Sequence, residues 1–142
     1  VVARTGLAPD GAPLAAAREF SQPFVVDTGA VTLARLQDGA TTLGVRVTQG
    51  GRFFHLLGQT DKGAAVALVR RTCARAHRAI GLGDAPNDLP LLRAVDVPVI
   101  VAQPDRGWHP DLVAALPNAR RAPRPGPDGW NAAVLEWLAD EC

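Results

Sequence analysis

The run Gly81-Leu82-Gly83-Asp84-Ala85-Pro86-Asn87-Asp88-Leu89-Pro90 carries the densest chemistry in the chain. Just ahead of it, Ala79–Leu82 is apolar without polar alternation, as in a strand buried on both faces of a parallel sheet. Just behind it, Leu89–Ala94 reads as a helix and Val97–Val101 as a second short, β-branched, buried strand. Upstream, Thr60 or Asp61 can cap a helix from Lys62 to about Ala76, with Ala65, Val66, Val69 and Cys73 on one side. Downstream, Leu112–Leu116 is a helical turn or two. Ala122–Gly129 is rich in Pro and Gly and reads as loop, and Trp130–Asp140 as a closing helix. Helices alternating with short buried strands predict an α/β, Rossmann-like sheet over residues 59–142.

Residues 1–58 have another character. Pro13–Glu19 reads as a short Ala-rich helix and Phe24–Val26 as a strand. Ala30–Gln37 reads as a helix ended by Gly39. Thr41–Thr48 alternates, with Leu43, Val45 and Val47 on one face, and Arg52–Leu57 returns after a turn at Gln49-Gly50-Gly51. This predicts a separate α+β segment containing an antiparallel pair, with the boundary near Gly58–Thr60.

Composition narrows the function. The 142 residues are 47% hydrophobic and 20% charged, which argues against disorder. Fifteen basic against fourteen acidic side chains leave a net charge of +1, too little for a broad nucleic-acid-binding surface. No apolar run approaches the ~20 residues that span a bilayer, and no signal-peptide order opens the chain, so no membrane partner is expected. Cys73 and Cys142 form no disulfide framework or metal-ligand spacing, and a reducing, cytoplasmic setting is the default. The chain has no Met, so Val1 reads as the start of a fragment or of a trimmed product.

Ligands of open α/β sheets sit at the carboxyl ends of the strands, which puts Asp84 at a crevice floor. Gly83 lets the backbone turn there. Asp84 and Asp88 are hard oxygen donors on one turn, suited to Mg²⁺ shared with waters and phosphate oxygens. Asp88 fits a helix N-cap equally well, and the two roles can coexist. Lys62 is the single Lys beside 14 Arg. It stands at a helix start, where an ammonium is unfavourable unless it meets an anion such as phosphate, and Gly63 would allow close approach. In Gly51-Arg52-Phe53-Phe54-His55, Arg52 suits a bidentate carboxylate or phosphate contact. The spacing there equally fits core phenylalanines and a satisfied strand His55. Arg18, Glu19 and Arg46 read as surface charges, and His77 and His109 show no partner pattern. No catalytic triad, Walker loop or zinc spacing is present.

Lys62-Gly63 followed by Gly83-Asp84-Ala85-Pro86-Asn87-Asp88 resembles the last two motifs of haloacid-dehalogenase-superfamily phosphatases. Gly50–Gly58, Gly81–Leu92 and Gly126–Asn131, with Arg18-Glu19-Phe20 and Pro23-Phe24, are similar to the mannosyl-3-phosphoglycerate phosphatase family. The resemblance implies the second half of the core at 59–142 and the C-terminal part of an α+β cap at 1–58. It implies a Mg²⁺-dependent phosphatase that uses an Asp nucleophile and forms an aspartyl-phosphate. The substrate would be a phosphorylated glycoside and the product mannosylglycerate, a compatible solute. Lys62 would bridge nucleophile and phosphate, Asp84 would ligate Mg²⁺, and Asp88 would support the metal or Lys62. Asn87 would meet substrate or orient the loop, while Arg52, His55 and Arg18 become candidates for the glycerate carboxylate or sugar hydroxyls. The nucleophile's Asp-x-Asp and the Ser/Thr phosphate motif have no counterpart in this sequence, so they are expected upstream of Val1 and the fragment alone is expected to be inactive. Another sugar phosphate as substrate, or a non-catalytic phosphoglycoside-binding module, are the alternatives. Nothing in the sequence bears on oligomeric state.

Overall fold

Two strands of the parallel sheet, Ile80–Gly83 and Val97–Ala102, form where short, uniformly apolar runs suit a strand covered on both faces. The computed structural model describes residues 6, 8–26, 31–50, 53–73 and 78–141, in two compact units, 1–59 and 60–142. The fold is mixed α/β, as expected.

The second unit begins with α3 (Lys62–Thr72), capped by the Asp61 carboxylate, which accepts from Ala64 N at 2.8 Å. Strand β4 (Ile80–Gly83) leads through a 3₁₀ turn (Pro86–Asp88) into α4 (Leu89–Ala94). Then follow β5 (Val97–Ala102), α5 (Pro110–Ala115), β6 (Arg120–Pro125) and α6 (Gly126–Glu141). The sheet is parallel, in the order β4-β5-β6. Alternation along β5 splits the core in two. Val97, Val99 and Val101 pack with Ala122, Ala133 and Trp137, so α6 covers that face. Ile100 packs with Leu92, Leu112 and Ala119, so α4 and α5 cover the other. Ile100 and Leu112 are fully buried, each contributing roughly 1.5–3 kcal/mol of hydrophobic stabilisation.

The clearest correction lies at Ala122–Gly129, expected as loop. Residues 120–125 form strand β6 and the helix begins at Gly126. Pro123 and Pro125 are tolerated because β6 pairs with β5 alone among the described residues, and the ladder is irregular at Val101/Ala102. Pro127 falls in the first turn of α6, where a missing N–H costs nothing. The helix α3 ends at Thr72, short of Ala76, and the sides of Val69 and Cys73 are exposed.

The first unit holds α1 (Gly11–Ala16), β1 (Ser21–Phe24), α2 (Leu33–Thr42), β2 (Arg46–Gly50) and β3 (Phe53–Leu57). Its sheet is antiparallel with three strands, in the order β1-β3-β2, one more than the pair expected. Phe24 lies opposite Phe54, and their rings stack at 5.7 Å. Several boundaries differ from expectation. Helix α1 starts at Gly11 because Asp10 caps it, and it stops at Ala16, not Glu19. Strand β1 ends where Val25-Val26 was expected to continue it. Helix α2 starts after its Thr32 cap and runs through Gly39. It ends at Thr42, and Gly44, just beyond the Leu43 cap, has a φ of 71° that suits glycine. Thr41 and Thr42 are therefore helical, and Leu43 is an exposed cap residue. Gly51, Arg52 and His77 lie outside the described residues.

Candidate active site

Strands β4, β5 and β6 end on one side, and an open pocket of about 900 Å³ lies there. Its wall includes Lys62, Asp84, Asp88, Asp128, Trp130 and Asn131. This is where ligands of open α/β sheets bind. All these side chains belong to the second unit.

Asp88 organises the pocket's polar side. It is 6% exposed, the only buried charged residue among those described. Its Oδ1 pairs with the Lys62 ammonium. Its Oδ2 accepts from the backbone N–H groups of Asp84 at 3.1 Å and Ala85 at 3.3 Å. The carboxylate thus turns back onto the loop before the helix. Asp88 occupies the N-cap position of α4, as expected, but makes no side-chain capping bond to that helix. Gln103, just after β5, donates its Nε2 to the Asp84 carbonyl at 2.8 Å and holds the loop from the opposite side.

Two glycines make this arrangement possible by lacking a Cβ. At Gly83 a Cβ would lie 2.4 Å from that of Asp88, so only glycine lets Asp88 fold beneath the loop. At Gly63 a Cβ would lie 2.4 Å from the Pro90 carbonyl oxygen. That close approach sets the first turn of α3 against α4 and delivers Lys62 to Asp88.

The remaining expected residues are placed as follows. Asp84 lines the pocket and its residue is exposed. Asn87 lies in the same turn but does not line the pocket; its Oδ1 is buried without a hydrogen-bond partner. Arg18 and His55 belong to the first unit. Arg18 donates to the Ala15 carbonyl at 3.1 Å and to Ser21 Oγ at 3.3 Å. His55 sits in the central strand β3, between Pro23 of β1 and Thr48 of β2. Burial pushes its imidazole below the usual histidine range, and the positive charge of Arg18 adds to the shift. His109, expected to be incidental, caps α5 by accepting from Asp111 N at 3.3 Å.

Asp128, Trp130 and Asn131 were not among the expected site residues. Their sequence signal is the Gly126–Asn131 run, which spans the end of the expected loop and the start of the expected closing helix. Trp130 is 52% exposed. Trp108 is 36% exposed; its indole N–H donates to the Ala122 carbonyl at 3.0 Å, and Arg121 lies over its ring.

The donor chemistry suits a divalent cation only in part. Asp84 and Asp128 bring carboxylates to the pocket, whereas both oxygens of Asp88 are engaged. Among the described residues, no three His, Cys, Asp or Glu side chains gather as a complete metal site. Mg²⁺ needs only one or two carboxylates beside waters and phosphate oxygens, so Asp84 fits as a single contributed ligand.

Fold and pocket together define a parallel α/β domain with an ammonium and carboxylates gathered at its strand ends. The chain is homologous to proteins named glucosyl-3-phosphoglycerate/mannosyl-3-phosphoglycerate phosphatase. It is 34% identical to that of Persephonella marina over 97% of this chain and 52% of the relative. It is 35% identical to that of Methanococcoides burtonii over 94% of this chain and 50% of the relative. The chain therefore spans about half the length of these relatives. No family model matches it. The crystal structure of Thermoplasma acidophilum 0175 shares the fold, with a TM-score of 0.57 at 20% identity over 73% of this chain and 43% of that one.

Proposed function

We propose that this chain is the C-terminal part of a Mg²⁺-dependent phosphatase of the haloacid-dehalogenase type. Its substrate is a phosphorylated glycoside, mannosyl-3-phosphoglycerate or the glucosyl counterpart in its relatives' names. Residues 1–58 supply part of a cap and 59–142 the second half of the core. The observation that carries the reading is the Lys62–Asp88 pair beside Asp84 in one pocket.

Lys62 binds the phosphoryl oxygens as a compact positive charge and stabilises the charge that builds up during transfer. Asp88 positions that ammonium and fixes the backbone of the Asp84 loop. Asp84 holds Mg²⁺, which when bound neutralises charge on the phosphoryl group. The nucleophile is an Asp carried outside these residues. Its carboxylate attacks phosphorus, the glycosyl-glycerate oxygen leaves with a proton, and water then releases phosphate from the aspartyl-phosphate. Arg52, His55 and Arg18 are assigned to the glycerate carboxylate or sugar hydroxyls, and Asn87 to loop orientation or substrate contact.

The test is phosphate release by the chain expressed together with the half that its relatives add, with Mg²⁺ present. Faster release from mannosyl-3-phosphoglycerate than from simple hexose phosphates is expected. Equal rates would defeat the substrate assignment, and ligand binding without release would favour a non-catalytic module.

A further inference from the structure

The pocket is far larger than a phosphate group requires, and its two sides differ in chemistry. Lys62 gives one side an anion-binding ammonium. The other side is built by the first turns of α6, where Asp128, Trp130 and Asn131 face the same space. Trp130 leaves half of a large aromatic surface open to water, at a cost that a ligand would relieve. Pro104 and Pro127 extend this apolar surface. Asp128 repels phosphate and carboxylate but can accept hydrogen bonds from neutral hydroxyls, and Asn131 can both donate and accept. An apolar plate edged by a carboxylate and an amide matches a pyranose, which has a C–H face and a rim of hydroxyls.

The geometry points to a sugar-ring subsite within the second unit: Trp130 stacks on the ring while Asp128 and Asn131 bind its hydroxyls. The inference rests on the phosphatase reading above and adds where the neutral part of the substrate is read. Selectivity for the glycosyl group is therefore carried in part by the same unit that holds Lys62.

The experiment compares kcat/KM for mannosyl-3-phosphoglycerate and for ring-free 3-phosphoglycerate, using the chain joined to its missing half. The ratio of the two constants is the readout. Trp130→Ala is expected to lower that ratio roughly tenfold, and Trp130→Phe to recover most of it. Because Trp130 is half exposed, its truncation is compatible with folding, which circular dichroism checks. An unchanged ratio, with both constants lowered alike, overturns the subsite while leaving the phosphatase reading in place. Failure of the unsubstituted protein to release phosphate from either ester overturns both.

Discussion

Asp88 receives the Lys62 ammonium across 26 positions of sequence, and the same carboxylate accepts two N–H groups of its own loop. One buried side chain thus ties the start of α3 to the turn after β4. Replacing Asp88 with Ala strands the Asp84 and Ala85 N–H groups and frees Lys62. The expected loss is about 2–3 kcal/mol, measured by urea unfolding of the chain. Most of it comes from the N–H groups, because Lys62 is half exposed and its ion pair is screened. A loss below about 0.5 kcal/mol would show that the loop holds itself.

Lys62→Arg tests whether the site needs a compact cation. The planar guanidinium retains the charge but not the geometry. In the chain expressed with the half that its relatives add, phosphate release should fall by about a hundredfold or more. Nearly intact activity would mean that the lone lysine carries no special chemistry.

Chelation of divalent cations should abolish phosphate release, and added Mg²⁺ should restore it. Asp84→Asn should raise the Mg²⁺ concentration needed for half-maximal activity about tenfold or more. Full activity in excess chelator would remove the metal from the proposed mechanism.

Gly83→Ala places a methyl group against Asp88. The loop must shift, at an expected cost of roughly 1–3 kcal/mol. A combined Gly83→Ala, Asp88→Gly chain should be less unstable than the sum of the single changes, because the closest contact is with the Asp88 Cβ and vanishes with it. Strict additivity of the urea free energies would place the clash elsewhere.

Asp96 provides an acid limb to stability. Its carboxylate accepts from Ala79 N at 2.8 Å and pairs with Arg70 at 3.0 Å. The Ala79 N–H, then Arg70, hold its pKa below the ordinary 3.8. The folded state therefore binds the proton less readily than the unfolded chain. Its contribution is complete above about pH 4 and is lost as pH falls through the depressed folded-state value. Asp96→Asn should flatten stability against pH in that acid window. For His55, an NMR titration should give a midpoint below 6.5, and Arg18→Gln should raise it only partly, since burial is the larger cause.

What was legible in the sequence was what depends on short range. The buried strands β4 and β5 lack alternation, and α4 begins where expected at Leu89. The turn that carries Asp84 and Asp88 and the cap of α3 that carries Lys62 are local features, whereas their meeting depends on α3 packing against α4 at Gly63. Strand β6 was hidden by Pro123 and Pro125, which normally break a ladder. Their tolerance depends on an edge position that only the assembled sheet defines. In α2, Gly39 looked like an end because the Thr41 and Thr42 hydroxyls, which bond back to the Gln37 and Gly39 carbonyls, leave no sequence pattern. Asp128 and Trp130 escaped notice for a similar reason. Their approach to Asp84 depends on β6 delivering α6 to the strand ends, about 40 residues later.

The separate anchoring of the pocket's two sides bears on how such a site diverges. Lys62 and the Asp84 loop share Asp88, so a substitution there disturbs both at once. The side chains at Trp130 and Asn131 project from α6 without resting on that carboxylate. On the proposed reading, drift along the helix can therefore alter which molecule is preferred while Lys62 and the Asp84 loop stay intact. A lineage built on this chain could exchange one sugar for another through substitutions at a few helix positions, each tolerated on its own.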